Sequence, residues 1–155
     1  MSTVSNELFI KQVTGNKKRF MPLLLIGDES EEMINRYIGR GKLYVGFVGS
    51  DAISVCVTTE VDSETFEIKN LAVESRYRKQ GIGRKMIEYV ERLHPGKTLI
   101  LGTGETPSTL RFYKSCGFIF SHIIPDFFIR NYPEPIIEEG IRLKDMIYLT
   151  KTAEK

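Results

Sequence analysis

The stretch Arg78-Lys79-Gln80-Gly81-Ile82-Gly83 has the residue types and the spacing to hold an anion. It follows a strand-like run at 66–73 and leads into a helix-like run at 84–93. Glycine lets a backbone approach a ligand with no Cβ in the way. The first N–H groups of a helix have no internal partner, and the helix dipole favours negative charge at that end. Arg76, Arg78, Lys79, Arg84 and Lys85 concentrate positive charge around the same turn. The pattern R-x-x-G-x-G is neither the G-x-x-x-x-G-K-[ST] of an ATP-binding loop nor the G-x-G-x-x-G of a dinucleotide fold. The chemistry it points to is the cradling of a phosphate by backbone amides.

The elements that must position this turn can be read from periodicity. Strands are expected over 7–13, 43–48, 52–59, 66–73, 98–102, 118–124 and 145–150. The pair 43–48 and 52–59 reads as a hairpin, with Leu43, Val45 and Phe47 on one face and Ile53, Val55 and Val57 facing with them. Helices are expected over 17–26, where Pro22 enforces a late start or a kink, and over 31–40 behind an Asp28-Glu29-Ser30 cap. The helix after the glycine turn carries Ile82, Met86, Ile87, Val90 and Leu93 on one side. A fourth helix runs from an N-cap at Thr106, with Pro107 at N1, to about Ser115. Residues 125–143 read as irregular and carry aromatic and acidic side chains.

The 155 residues make one domain with a net charge of +2, too close to neutral to argue for nucleic acid. Cys56 and Cys116 form no disulfide framework, and His94 and His122 have no metal-ligand spacing. The first six residues lack a secretion signal, and no apolar run is long enough to span a membrane, so a cytoplasmic location is expected.

Leu71-Ala72-Val73 followed by Tyr77-Arg78-Lys79-Gln80-Gly81-Ile82-Gly83 resembles the coenzyme A loop of the GNAT superfamily of N-acetyltransferases. Leu110-Arg111-Phe112-Tyr113-Lys114-Ser115-Cys116-Gly117-Phe118 resembles that family's later helix, which ends in a tyrosine and then a Gly-Phe pair. The resemblance covers residues 7–120. It implies a single acetyltransferase domain over 1–155 of mixed α/β class. The expected sheet is mostly antiparallel, of about seven strands flanked by four helices, in the order β-α-α-β-β-β-α-β-α-β-β. It implies acetyl-CoA as co-substrate and no metal.

Roles follow by the same resemblance. Backbone amides of Lys79, Gln80, Gly81, Ile82, Gly83 and Arg84 wrap the pyrophosphate, with Arg78 adding charge. The pantetheine amides extend along Leu71, Ala72 and Val73. Tyr113 matches the tyrosine that faces the cofactor sulfur; a phenol of pKa about 10 can protonate a thiolate whose parent pKa is about 8.5. Glu67 matches by position a glutamate base, acting directly or through water on an amine of pKa about 10.4; it reads equally as a solvated strand residue. Thr106 stands where many relatives carry a cofactor-contacting asparagine, and its hydroxyl can cap the helix but cannot make both amide hydrogen bonds.

The reaction read from this set is acetyl transfer to a primary amine by direct attack in a ternary complex. A route through Cys116 lacks a neighbouring activating base. The aromatic and acidic segment 126–140 tilts the acceptor toward a small amine, although it reads also as a solvated acidic loop. A protein N-terminus or lysine is the alternative acceptor, and a non-catalytic acyl-CoA sensor the alternative of another class. No nucleic-acid or membrane partner is expected. A homodimer is compatible with the resemblance.

Overall fold

The computed structural model describes residues 7–154; residues 1–6, read above for a secretion signal, and Lys155 lie outside them. The strands are β1 (Leu8–Val13), β2 (Lys42–Val48), β3 (Asp51–Asp62), β4 (Thr65–Val73), β5 (Thr98–Thr103), β6 (Ile119–Ile124), β7 (Ile137–Glu138), β8 (Ile141–Arg142) and β9 (Met146–Thr152). Seven of them form one sheet in the order β1-β2-β3-β4-β5-β9-β6, while β7 and β8 pair as a separate ribbon. Every neighbouring pair in the large sheet is antiparallel except β4–β5. That parallel pairing runs only from Thr65–Thr98 to Ile68–Leu101. Beyond it β4 continues to Val73 with one backbone edge that no strand covers.

The sheet is covered on both faces at β2 and β3, which is why these strands read as continuous apolar runs, whereas β4 alternates. One core packs Ile82, Met86, Ile87 and Val90 of α3 (Ile82–Arg92) against Tyr44, Cys56, Phe66 and Leu99. The other packs Leu23 and Leu24 of α1 (Met21–Gly27) and Ile34 and Tyr37 of α2 (Glu31–Tyr37) against Leu43, Val45, Val55 and Val57. Two of the sheet's bulges bear on the faces that its residues take. Gly46 pairs with Ser54 but Phe47 with Ala52, so Ile53 is an extra residue. It therefore joins the α3 core while Val55 and Val57 join the other, and the three do not share the face that alternation predicts. On β4, Asn70 pairs with Val57 but Ile68 with Thr58, which makes Lys69 the extra residue.

The helices follow their local chemistry. A 3-10 turn at Lys17–Phe20 precedes α1, so the helix expected over 17–26 starts late; Pro22 falls in its first turn, where no N–H is needed. Ser30 Oγ accepts from Met33 N at 3.1 Å and caps α2, which ends at Tyr37, earlier than expected. α3 ends at Arg92, and Leu93 is 49% exposed rather than part of the apolar face. His94 stops the helix by donating from Nδ1 to the Val90 carbonyl at 2.8 Å while its ring stacks on Phe66. α4 spans Pro107–Ser115.

The segment 125–143 is not irregular. It contains a fifth helix, α5 (Phe127–Asn131), where four were expected, and the β7–β8 ribbon. The ribbon turns on Glu139 (φ 52°) and Gly140 (φ 76°), successive left-handed residues as a two-residue hairpin requires. No helix among the described residues is long and apolar enough to cross a membrane.

Met86 is fully buried, where Ser54 Oγ lies 3.2 Å from its sulfur. Met86→Ala is expected to cost about 2–5 kcal/mol in urea unfolding. A cost under about 1 kcal/mol would mean that α3 is not anchored there.

Candidate active site

The basic turn is built by backbone left-handedness. β4 ends at Val73, a 3-10 turn covers Ser75–Tyr77, and Lys79 (φ 63°) and Gly81 (φ 79°) swing the chain into α3. Gly81 is the N-cap and supplies no side chain, so the first amides of an eleven-residue helix open outward. Gly83 does something else: a Cβ there would meet Phe112 Cζ at 3.0 Å, so its bareness lets α3 and α4 close on each other. Arg84 fastens the same contact, donating to Ser115 O at 3.1 Å and Ser115 Oγ at 3.0 Å. Arg78 Nε donates to Val73 O at 3.2 Å, across the turn.

A cleft of about 700 Å3 lies between this turn, the end of β4 and α4. Leu71, Ala72, Val73, Arg78, Lys79, Gly81, Ile82, Gly83, Arg84 and Tyr113 all line it. Gln80 does not: it donates from Nε2 to Arg76 O at 3.4 Å and faces a separate depression with Lys85. Thr106 does not either. It is 1% exposed, its Oγ1 has no partner, and although it occupies the N-cap of α4 its side chain does not cap.

A second cavity of about 240 Å3 occupies the gap where β4 and β5 part. Ile68, Asn70 and Leu71 wall it on one side, Leu101 and Gly102 on the other, and Phe128, Tyr132 and Glu138 from above. Ile26, Leu71, Thr109, Tyr113 and Glu138 line both cavities, so the two meet at the Tyr113 side chain. Tyr113 is half-buried with its ring edge-on to Phe112 and Phe118. Burial pushes its phenol well above the ordinary value, with the Cys56 and Cys116 thiols adding to the rise. Its hydroxyl makes no hydrogen bond among the described residues, so the proton it holds is uncommitted.

Glu67 sits elsewhere. The bulge at Lys69 places it on the face opposite Leu71 and Val73, in a third cavity of about 250 Å3 with Arg36, Tyr37 and Tyr148. Its side chain is 13% exposed, and its Oε2 accepts from Tyr148 Oη at 2.7 Å and from Lys69 Nζ at 3.3 Å. Burial, and next the Glu67 carboxylate, raise the Tyr148 phenol. Asp28, Lys69, Tyr132 and Met146 line both this cavity and the second one.

Side chains outside the motifs complete the site. Asp28 Oδ1 accepts from Tyr132 Oη at 2.9 Å, and its Oδ2 from Tyr37 Oη at 3.3 Å. Asn70 Nδ2 donates to Tyr37 Oη at 3.0 Å and to Leu24 O at 2.9 Å, leaving Oδ1 unpartnered in a residue 3% exposed. Glu105 Oε1 accepts from Lys144 N, and Ser108 Oγ donates to Glu139, so the 126–143 cover is tied down at several points. Partial desolvation, then Glu29 and Glu139, lift the carboxyl of the exposed Glu138 above its ordinary value. The sequence signals here are the aromatic and acidic make-up of 126–140 for the cover and, for Asp28, its place in the cap before α2. Among the described residues no group of His, Cys, Asp or Glu could hold a metal ion.

Comparison with known proteins fits this geometry. The GNAT acetyltransferase domain matches residues 39–120. The uncharacterized N-acetyltransferase YvbK of Bacillus subtilis strain 168 is 36% identical over 132 residues, 82% of this chain and 84% of that protein. The structure of a GNAT family acetyltransferase from Elizabethkingia anophelis with acetyl-CoA bound superposes with a TM-score of 0.86 at 36% identity, covering 94% of this chain and 97% of the other. A Bacillus subtilis acetyltransferase in complex with CoA gives 0.83 at 32% identity, covering 94% and 99%. The chain belongs to the GNAT family and is an acetyl-CoA-dependent N-acetyltransferase.

Gly81→Glu places a charge and a strained backbone at the mouth of the α3 amides. It is expected to weaken acetyl-CoA binding, read by calorimetry, by about 100-fold or more. Gly81→Gln shares the strain without the charge, and equal losses in the two variants would mean that backbone geometry alone is responsible.

Proposed function

We propose that this domain, spanning the whole chain, moves the acetyl group of acetyl-CoA to the primary amine of a small molecule by direct attack in a ternary complex. The observation that carries the reading is the position of Tyr113 in the wall common to both cavities. The α3 amides, with Arg78 and Lys79 beside them, receive the pyrophosphate. The uncovered edge of β4 at Leu71–Val73 offers amide and carbonyl groups to the pantetheine, as a missing strand would. The thioester then comes to rest beside Tyr113, with the amine entering from the second cavity.

Tyr113 donates its proton to the sulfur as the carbon–sulfur bond breaks. A phenol held neutral by burial, with its proton uncommitted, suits that role. Cys116 offers no competing covalent route: it is buried, and burial raises its thiol despite Arg84 and Lys151 nearby. Glu67 does not reach an amine at Tyr113 directly, since its own cavity separates it from Tyr113. The 240 Å3 volume and its cover of α5 and the β7–β8 ribbon favour a small acceptor over a polypeptide segment.

Tyr113→Phe is expected to lower kcat about 100-fold while leaving acetyl-CoA affinity within about twofold. Unchanged kcat would remove Tyr113 from the acid role. Cys116→Ser is expected to retain turnover and to show no acetylated protein by intact mass; loss of turnover together with an acetylated wild-type Cys116 would point to a covalent route.

A further inference from the structure

The acceptor amine must lose a proton before it can attack, and the position of Glu138 bears on where that proton goes. Glu138 lies in the walls of both the cofactor cleft and the second cavity, a property that among carboxylates of these walls it alone has. Of these two cavities Asp28 and Glu29 line the second but not the cofactor cleft, and Glu67 lines neither. Asp28 is already committed to two tyrosine hydroxyls, and Glu67 to Tyr148 and Lys69. The Glu138 carboxylate makes no side-chain hydrogen bond or ion pair among the described residues. The ribbon is held over the junction by the Ser108–Glu139 hydrogen bond to α4, the helix that carries Tyr113.

Resting on the acetyltransferase reading, we infer that Glu138 is the catalytic base, receiving the acceptor's ammonium group at the junction of the two cavities and taking its proton.

The ammonium gives one proton to a Glu138 oxygen and becomes a neutral amine. Its lone pair forms the carbon–nitrogen bond to the thioester carbonyl carbon, the carbon–sulfur bond breaks, and Tyr113 protonates the departing sulfur. The nitrogen's second surplus proton restores Tyr113, and Glu138 releases its own to solvent.

The electrostatic surroundings suit the role. From the α1–α2 loop Asp28 and Glu29 line the second cavity, with Lys69 of β4 and Tyr132 beyond α5. From the other side Arg78, Lys79, Arg84 and Tyr113 line the cleft, and Glu139 and Arg142 belong to the ribbon itself. Glu138 is exposed at the surface, yet partial desolvation and the like charges of Glu29 and Glu139 together raise its carboxyl. A base with a raised pKa takes up a proton more readily, and the neighbouring negative charge also draws the cation in. The group is active when ionised, so activity falls as pH drops through that raised pKa.

The test compares Glu138→Gln with Glu67→Gln using tyramine and spermidine, which are protonated at neutral pH, and trifluoroethylamine, which is already neutral there. Glu138→Gln is expected to lose about 100-fold or more in kcat/KM on the basic amines, to recover as pH rises, and to lose less than about threefold on trifluoroethylamine. Acetyl-CoA affinity by calorimetry stays within about twofold. Glu29→Gln removes a like charge, lowers the Glu138 pKa, and moves the acid limb of the profile to lower pH. Equal losses on all amines, an unshifted acid limb, or the basicity-dependent loss appearing in Glu67→Gln would overturn the assignment. Wild-type protein that binds acetyl-CoA yet acetylates none of these amines would instead overturn the small-amine reading and the role of Glu138 with it.

Discussion

Four residue pairs of parallel pairing between β4 and β5 are the constraint on which the site depends. A sheet that stayed paired to the end of β4 would have no room between these strands and no free backbone at Leu71–Val73. Because pairing ends at Ile68–Leu101, one strand edge faces a cleft and a cavity opens in the gap. Such an exposed edge is ordinarily a hazard, since it invites another strand. Here α3, α4 and the 126–143 cover surround it, so an extended small molecule can reach the edge while a neighbouring sheet is blocked. The bulge at Lys69 falls at the point of parting and gives the free part of β4 its own phase.

The gap is kept open by polar contacts rather than by apolar packing. Leu24 O, Asn70, Tyr37, Asp28 and Tyr132 form a continuous hydrogen-bonded chain from α1 through β4 and α2 to the cover. Burial raises both tyrosines, so both keep their protons and remain donors at any ordinary pH. A network of this kind fixes geometry because each buried group left without its partner is costly. The two apolar cores, by contrast, hold α1, α2 and α3 to the sheet away from the gap.

What could be read from the sequence was what is local in the chain. The β4–turn–α3 unit, Ser30 as a cap, the late start forced by Pro22 and the Tyr113 helix each declare themselves within a dozen residues. The bulges were hidden, because an extra residue changes the phase of a strand without changing its composition; Ile53 and Glu67 therefore face where simple alternation does not place them. The cover was hidden for another reason. A five-residue helix and two-residue strands are too short to show a period, and Glu139 is an unusual residue for a left-handed turn position. Glu138 drew notice only as one carboxylate among several, since nothing in its neighbours points to a junction built from distant elements.

The two thiols carry a practical consequence. Cys56 is pushed up to about 12 by burial, and Cys116 is raised and enclosed as well. A disulfide reagent reacts with an accessible thiolate, so the folded chain contributes almost no colour of its own when such a reagent counts coenzyme A released in solution. Unfolding exposes both sulfurs. Their appearance, at two equivalents per chain, makes the same reagent an internal gauge of how much of a preparation has lost its structure.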